Sequence, residues 1–323
     1  MSKIINQNNS IKEDNRTIIF DYFIRKSNLY LISTFWSTES KYKYTSEGLP
    51  KLNLTINNDK IEEIGYDENE PMRFFTCKLN SKVKLPLSLK INNHEYLIMP
   101  EVIKPVKKKN KFAVATLFKN ETPEWVQRFV NYYKKHGVDK FYFYYNGPLK
   151  DFNNNLPQDK SIIYIMWDFV YYIDNVQYRH FAQTAFLIDF RLKYYDDNEY
   201  VAMIDLDEFI YNSLDDKTIY QSIKDVNKDV IVVANYWATI SGKELKYNVN
   251  SSGWEKRTKV IYNTKYRGYY GIHWIKPKKS MNDQIIKSPY LKMLHLIDVL
   301  HPGRIEKIDK YTRLTKDIKL LEI

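Results

Sequence analysis

The sequence predicts an α/β protein in which a smaller, β-rich N-terminal domain precedes a mostly parallel sheet flanked by helices. Two observations predict this order. Over residues 17–106, short aromatic and β-branched runs alternate with turn residues, which is typical of a small sandwich. Over residues 107–323, continuous apolar strands alternate with amphipathic helices, which favours βαβ units and parallel pairing. Residues 1–16 are polar and are predicted to be disordered.

The composition limits the classes of protein to consider. The chain has 323 residues and a formal charge of +11, yet its positive residues are scattered, and the only dense run is Pro105–Lys111. We therefore expect no nucleic-acid partner, whereas an anionic small substrate would benefit from the positive field. No apolar run approaches the ~20 residues of a membrane span, and the N-terminus does not resemble a signal peptide. Cys77, the single cysteine, excludes an internal disulfide, so we expect a reducing, cytoplasmic location.

Each element of the N-terminal domain is predicted from a short apolar run. The isolated His94 there is interpreted as structural, and Pro105–Lys111 is interpreted as a solvated linker to the second domain. The predicted strands fall at residues 17–24, 29–36, 52–56, 72–79 and 95–99.

The second domain begins with a strand, Phe112–Phe118, whose apolar run indicates burial on both faces. Thr122 and Pro123 then supply a helix cap and a first-turn proline, and Gly137 ends that helix. The elements that follow are strands at 141–145 and 162–167, a helix at about 177–195, and a strand at 200–204. Ligands of such sheets bind at the carboxyl ends of the strands, where the sequence places Lys119 to Glu121, Asn146 and Asp205 to Asp207.

The motif Asp205-Leu206-Asp207 directly follows the last of these strands. Alternation along an extended chain would place both carboxylates on one side, where they repel each other unless a cation lies between them. Mg²⁺ and Mn²⁺ prefer oxygen ligands and share them with phosphates. A turn and helix cap is the alternative interpretation, since the motif is short.

Beyond Asp207 the pattern predicts a helix at about 216–226 and a strand at 230–234. The segment to residue 302 is irregular and contains three histidines, and a Lys-rich amphipathic helix is predicted after Arg304.

Four motifs in order resemble glycosyltransferase family 92 and related family 2-like enzymes of the GT-A fold. They are K-N-E-x-x-E-W at 119–125, H-G-V-D-K-F-Y-F-Y-Y-N at 136–146, A-Q-T-A-F-L-I-D at 182–189 and I-D-L-D-E-F at 204–209. The resemblance covers most of residues 28–300. It implies a metal-dependent hexosyltransferase that uses a nucleotide sugar, with a divalent metal stabilising the charge on the departing diphosphate. The donor would be UDP-linked, and family analogy points to UDP-galactose.

The resemblance also implies roles for particular residues. Asp205 and Asp207 would bind the metal, Mn²⁺ or Mg²⁺, with His273 or His295 completing the site. The nucleotide sugar would contact Asp205 and the set Lys119, Asn120, Glu121, Asn146 and Lys259. Structural roles stay open for each histidine and for Lys259. Glu208 is expected to be buried and structural.

Inversion, implied by the resemblance, requires a carboxylate base on the acceptor hydroxyl. Asp207, Glu244 and Glu255 are the catalytic candidates, and the acceptor would be a glycan or glycoprotein. A catalytically silent glycan-binding protein of the same shape is one alternative. A basic nucleic-acid-binding protein is the other, although the sequence offers no groove-reading motif.

Overall fold

A computed structural model describes the chain in fifteen stretches. They are residues 2–5, 9–13, 16–34, 53–57, 59–66, 72–79, 84–91, 93–152, 155–169, 171, 181–241, 244–248, 258–267, 284–296 and 312–315.

The N-terminal region of the described chain consists of strands. They are β1 (Lys3–Ile5), β2 (Ile11–Glu13), β3 (Arg16–Arg25), β4 (Asn28–Thr34), β5 (Leu54–Ile56), β6 (Asp59–Lys60), β7 (Glu62–Tyr66), β8 (Met72–Lys78), β9 (Leu87–Ile91), β10 (His94–Ile98) and β11 (Glu101–Ile103).

Strands β2 to β11 form two sheets around one core, which agrees with the predicted sandwich-like region. One sheet has the order β11-β3-β4-β8-β7 with β2 beside β3, and the other has the order β10-β9-β5-β6. Leu29 and Leu31 from the first sheet lie in the same buried cluster as Leu54 and Leu89 from the second. Alternate residues of β9 are buried, as expected of a strand with one face toward a core.

The second region contains the helices of the described chain. Its elements are β12 (Asn110–Phe118), α1 (Pro123–Lys135), β13 (Lys140–Tyr145), β14 (Ile162–Met166), α2 (Phe181–Lys193), β15 (Asn198–Met203), β16 (Glu208–Asn212), α3 (Ile219–Val226), β17 (Val230–Ser241), β18 (Glu244–Asn248), β19 (Lys259–Asn263), β20 (Ile285–Leu296) and β21 (Thr312–Thr315). Short 3₁₀ turns occur at Leu149–Asp151 and Tyr195–Asp197.

The main sheet is mixed, whereas the sequence predicts a mostly parallel one. Its order is β1-β14-β13-β12-β15-β19-β17-β18-β21, and β20 pairs with both β16 and β17. Strands β1, β14, β13, β12 and β15 run parallel, while β19 is antiparallel to both β15 and β17. Parallel strands need a long crossover, usually helical, and tight hairpins such as β17–β18 give antiparallel pairs.

Each face of the main sheet is covered by different elements. Helices α1 and α3 cover one face through Phe129, Tyr133 and Ile223. On the other face, Phe186 and Phe190 of α2 share a buried cluster with Phe20 of β3. The N-terminal sheet therefore shares a core with the main sheet, and α2 contacts β3, β4 and β8 as well as β12.

Two terminal segments differ from the sequence-based prediction. Residues Lys3–Ile5, predicted to be disordered, pair in parallel with β14 at the edge of the main sheet. Residues Thr312–Thr315, predicted to lie in an amphipathic helix, form a strand against β18. In both cases an unpaired sheet edge supplies backbone partners that local sequence pattern does not reveal. The boundary between the domains near residue 106 stays a prediction.

Candidate functional site at the end of strand β15

The Asp205–Asp207 motif lies on a tight turn between β15 and β16. Strand β15 ends at Met203, and the Glu208 amide donates to the Asp205 carbonyl oxygen at 3.1 Å. The Asp205 amide in turn donates to Glu208 Oε2 at 2.8 Å. The sequence-based expectation of an extended segment is therefore wrong, because a turn replaces the extended chain that would alternate the side chains. The two aspartates have different partners.

Asp205 pairs with a fully buried lysine from the neighbouring strand β19. Lys259 Nζ lies 2.9 Å from Asp205 Oδ2 and 3.0 Å from Glu208 Oε2. Burial disfavours the charged lysine, but Asp205 and Glu208 outweigh it and hold the pKa of Lys259 above its ordinary value. Burial is also the main cause that raises the pKa of Glu208. Lys259 thus compensates two carboxylates and has no exposed surface, whereas the Asp205 side chain remains 36% exposed.

Asp207 pairs with a late histidine, His295 of β20. His295 Nε2 lies 3.1 Å from Asp207 Oδ2, and the Leu296 amide donates to the Asp207 carbonyl oxygen at 2.7 Å. Asp207 Oδ1 is buried and has no hydrogen-bond partner. Burial opposes the charged imidazole, but the bond to Asp207 and the nearby carboxylates raise the pKa of His295.

Glu121 approaches the same turn from the end of β12. Asn120, in the left-handed region at φ +67°, precedes it, and asparagine tolerates that conformation better than most residues. Glu121 Oε2 is buried without a hydrogen-bond partner. Burial raises the pKa of Glu121 to about 8, and the charges of Asp207 and Asp205 add to the shift. The end of β12 and the turn therefore bring the carboxyl groups of Glu121, Asp205, Asp207 and Glu208 into electrostatic contact.

Helix α1 fixes the turn through aromatic side chains. Trp125 Nε1 donates to the Leu206 carbonyl oxygen at 3.0 Å, and the Trp125 ring lies edge-on to Phe209. Tyr133 donates its hydroxyl proton to the Glu208 carbonyl oxygen at 2.8 Å and accepts from the Ile210 amide at 2.9 Å. The helix begins where predicted, with Thr122 Oγ1 accepting from the Trp125 amide. Trp125 belongs to the quoted motif, but no local pattern predicts its contact with residue 206.

The other predicted nucleotide-binding residues lie nearby and differ in exposure. Lys119 is exposed at the end of β12. Asn146 is buried, and its side-chain amide donates to the carbonyl oxygens of Trp167 and Phe169, both at 2.8 Å. Its backbone amide donates to the Phe118 carbonyl oxygen at 2.7 Å, which ties the ends of two parallel strands together. Both side-chain protons of Asn146 are therefore used within the fold.

The structure says less about three of the predicted site residues. Glu255 and His273 lie outside the described residues. Glu244 begins β18, opposite Ser241 of β17, while Trp237 of β17 lies opposite His295. Four residue steps of about 3.3 Å lead from Trp237 to Ser241, so the backbone of Glu244 lies about 13 Å beyond His295 in the strand direction. This hairpin extends the sheet on the side where β15 ends.

The donor atoms at the turn can be compared with what a hard divalent cation requires. Among the described residues, no group of three or more His, Cys, Asp or Glu side chains is already arranged to hold a metal ion. The unpartnered oxygens of Asp207 and Glu121 nevertheless suit such a cation. The donor types at the turn, carboxylate oxygens beside an imidazole, therefore match those that divalent metals take in proteins.

The end of β15 therefore gathers four carboxyl groups, a buried lysine and an imidazole at one place in the sheet. The family model described as Glycosyltransferase family 92 matches residues 108–313. The chain belongs to glycosyltransferase family 92, whose general activity is sugar transfer, and this confirms the family predicted from the four motifs. A comparison with curated proteins gives no match. Within the described chain, no helix has both the length and the apolar character needed to cross a membrane.

Proposed function

We propose that the protein transfers a sugar from a UDP-linked donor, such as UDP-galactose, to a hydroxyl group of a glycan or glycoprotein. The observation that carries this proposal is the pair of buried, unpartnered oxygens, Asp207 Oδ1 and Glu121 Oε2, inside the region that matches the family. Buried polar atoms without partners are rare in stable folds, so their presence at a strand end favours a ligand there. The assignment of the main sheet to the GT-A type is part of this proposal.

Asp207 and His295 would hold Mn²⁺ or Mg²⁺, with Glu121 as the third side chain. When bound, the metal neutralises the charge that develops on the diphosphate as the bond to the sugar breaks. To bind the metal, His295 Nε2 would give up its proton and its contact with Asp207 Oδ2, whereas Asp207 Oδ1 has no partner to give up. The Leu296 amide and Trp125 fix the backbone on either side, so the turn is held before the donor binds.

Lys259 and Asp205 are both predicted from the sequence to contact the nucleotide sugar, but their burial differs and so do the roles proposed for them. Because Lys259 is fully buried, we propose that it positions Asp205 and does not touch phosphate. Asp205 is the exposed member of the pair and would accept hydrogen bonds from the nucleotide. Lys119, exposed beside Glu121, is the cation available to the donor at the end of β12. Asn146 would act through the backbone by joining β12 to β13.

The acceptor would meet the donor beside the β17–β18 hairpin, which continues the sheet past His295. Inverting transfer needs a carboxylate that takes the acceptor proton as the oxygen attacks the anomeric carbon. Asp207 is engaged by His295, so we propose that the base comes from the segment after β17, where Glu244 and Glu255 lie. In inverting transfer this base takes the proton of the acceptor hydroxyl, which attacks the face of the sugar opposite the departing diphosphate.

Calorimetry with UDP and a UDP-sugar, in Mn²⁺, in Mg²⁺ and without either metal, tests the proposal. Asp207→Asn keeps the shape of the side chain and removes its charge, so it should weaken metal-dependent binding at least tenfold without lowering the melting temperature. Glu121→Gln should weaken it in the same direction. Asp216→Asn, at an exposed position before α3, is the control for loss of one negative charge and should bind as the parent does.

Two results would contradict the proposal. One is a parent protein that binds no nucleotide sugar with either metal. The other is an Asp207→Asn variant with parental, metal-dependent affinity. Binding without turnover toward any glycan acceptor would favour the catalytically silent alternative.

A further inference from the structure

A polar cavity lies at the seam between the N-terminal sheet and the main sheet. It has a volume of about 220 Å³. The hairpin between β3 and β4 lines one side, and the end of α2, the 3₁₀ turn before β15 and the segment after β19 line the other. Its main lining residues are Arg25, Lys26, Tyr30, Arg191, Tyr195 and Arg267.

Arg25 is built into the wall of this cavity. One guanidinium nitrogen donates to the carbonyl oxygens of Leu192 and Lys193 at the end of α2, and the other pairs with Asp197 at 2.7 Å. Arg25 is only 4% exposed, yet its Nε–H has no hydrogen-bond partner. A buried donor without a partner is costly, so a bound acceptor would satisfy it.

Among the described residues, positive side chains outnumber negative ones in the lining of the cavity. Asp196 lies 2.7 Å from Arg267 and 3.8 Å from Lys26, and Asp197 pairs with Arg25. Arg191 is the fourth cation of this lining, in which Asp196 is the one carboxylate. A phosphate monoester, with a charge of about −1.5 to −2 at neutral pH, is the kind of anion that such a lining attracts.

The cavity lies far from the candidate site on β15. Asp196 and Asp197 immediately precede β15, and the turn with Asp205 and Asp207 follows it. A strand of six residues spans about 20 Å, so the two sites lie at opposite ends of one strand.

We infer that this cavity binds a phosphate group, as inorganic phosphate or as the phosphate of a small phosphorylated metabolite. Arginine guanidinium groups match phosphate geometry with paired N–H donors, and three arginines converge here. The volume lies below the ~300 Å³ at which drug-sized ligand pockets begin, which favours one phosphate group over a whole nucleotide sugar. Because Arg25 comes from the N-terminal sheet and Arg191 from α2, the bound anion would hold the two regions together.

Thermal unfolding with increasing inorganic phosphate, at constant ionic strength set by chloride, tests the inference. A sugar phosphate and UDP are titrated in parallel to distinguish the sources of the phosphate. We expect the melting temperature of the parent to rise and saturate with phosphate. In the double variant Arg191→Gln/Arg267→Gln the apparent affinity should fall at least tenfold. Arg267 is largely exposed, so this variant is expected to fold.

Lys104→Gln removes one exposed positive charge outside the cavity and should respond as the parent does. Lys26→Gln, a milder change in the wall, should weaken the response less than the double variant. The inference is overturned if phosphate stabilises the parent and the double variant equally, or stabilises neither. It is also overturned if only UDP acts and Asp207→Asn abolishes its effect, because the anion then occupies the donor site.

Discussion

Replacing Trp125 by phenylalanine would test whether helix α1 keeps the Asp205–Asp207 turn ready for the donor. Phenylalanine retains an aromatic ring against Phe209 but removes the N–H that donates to the Leu206 carbonyl oxygen at 3.0 Å. Leu206 is buried, so its carbonyl would lose a partner that water replaces poorly. We expect the free energy of unfolding to fall by about 1–2 kcal/mol.

The same change should weaken donor binding. Without the Trp125 hydrogen bond, a smaller fraction of the molecules would hold the Asp205–Asp207 turn in the conformation that binds the donor. Apparent affinity falls with the competent fraction, and 1.4 kcal/mol corresponds to a factor of ten. We therefore expect UDP affinity in Mn²⁺ to drop about five- to tenfold, measured by calorimetry beside urea unfolding.

Tyr132→Phe is the matched control on the same helix. The Tyr132 hydroxyl donates to the Ile210 carbonyl oxygen at 2.6 Å, beyond the turn, so its loss should reduce stability and spare donor affinity. The reasoning about Trp125 would be refuted if both variants lost stability and both bound UDP as the parent does.

Two further predictions concern the seam between the two regions. Lys193→Met should lower the free energy of unfolding by about 3–5 kcal/mol, because Lys193 is the buried cation between Asp21 and Asp189. Burial raises the pKa of Asp189, so the protonated carboxyl favours folding and that contribution is lost as the pH rises. In denaturant titrations the loss of unfolding free energy in Lys193→Met should therefore be larger at pH 8 than at pH 5. Lys134→Met, which removes the cation of an exposed ion pair, is the control and should lose at most about 1 kcal/mol. Limited trypsin digestion should cut first within the exposed segment Lys107–Lys109, yet the two fragments should elute together in gel filtration because they share a core; fragments that separate would contradict that core.

Much of the fold follows from local pattern because its signals are short-range. Thr122 and Pro123 mark the start of α1, and the apolar run Phe112–Phe118 marks β12, since capping and burial act within a few residues. The strands at the sheet edges do not follow in this way. Residues 3–5 and 312–315 become strands only because a distant sheet edge pairs with them, and segments of three and four residues carry too little pattern to predict that.

The residues of the candidate site could likewise be predicted from the sequence only in part. Asp205 and Asp207 are visible in the sequence because carboxylates directly follow a buried strand. The partners of these residues are not visible in that way, since Lys259 lies 54 positions from Asp205 and His295 lies 88 positions from Asp207. A lysine inside the apolar strand β19 is the one local signal, because a buried lysine needs a carboxylate partner.

The two ends of β15 differ in the charged groups around them, and this separates the two proposed ligands by their need for metal. At the carboxyl end, four carboxyl groups crowd against Lys259 and His295, and burial together with the neighbouring carboxylates already raises the pKa of Glu121 and of Glu208, so further negative charge is unfavourable there. A diphosphate is repelled there unless a divalent cation intervenes, so a chelator should abolish donor binding. At the amino end, the arginine-lined cavity already carries positive charge, so phosphate should bind there equally well with chelator present. Titrating phosphate and UDP into one sample, before and after chelation, would therefore reveal two independent sites, and a common loss of both responses would show that they are one.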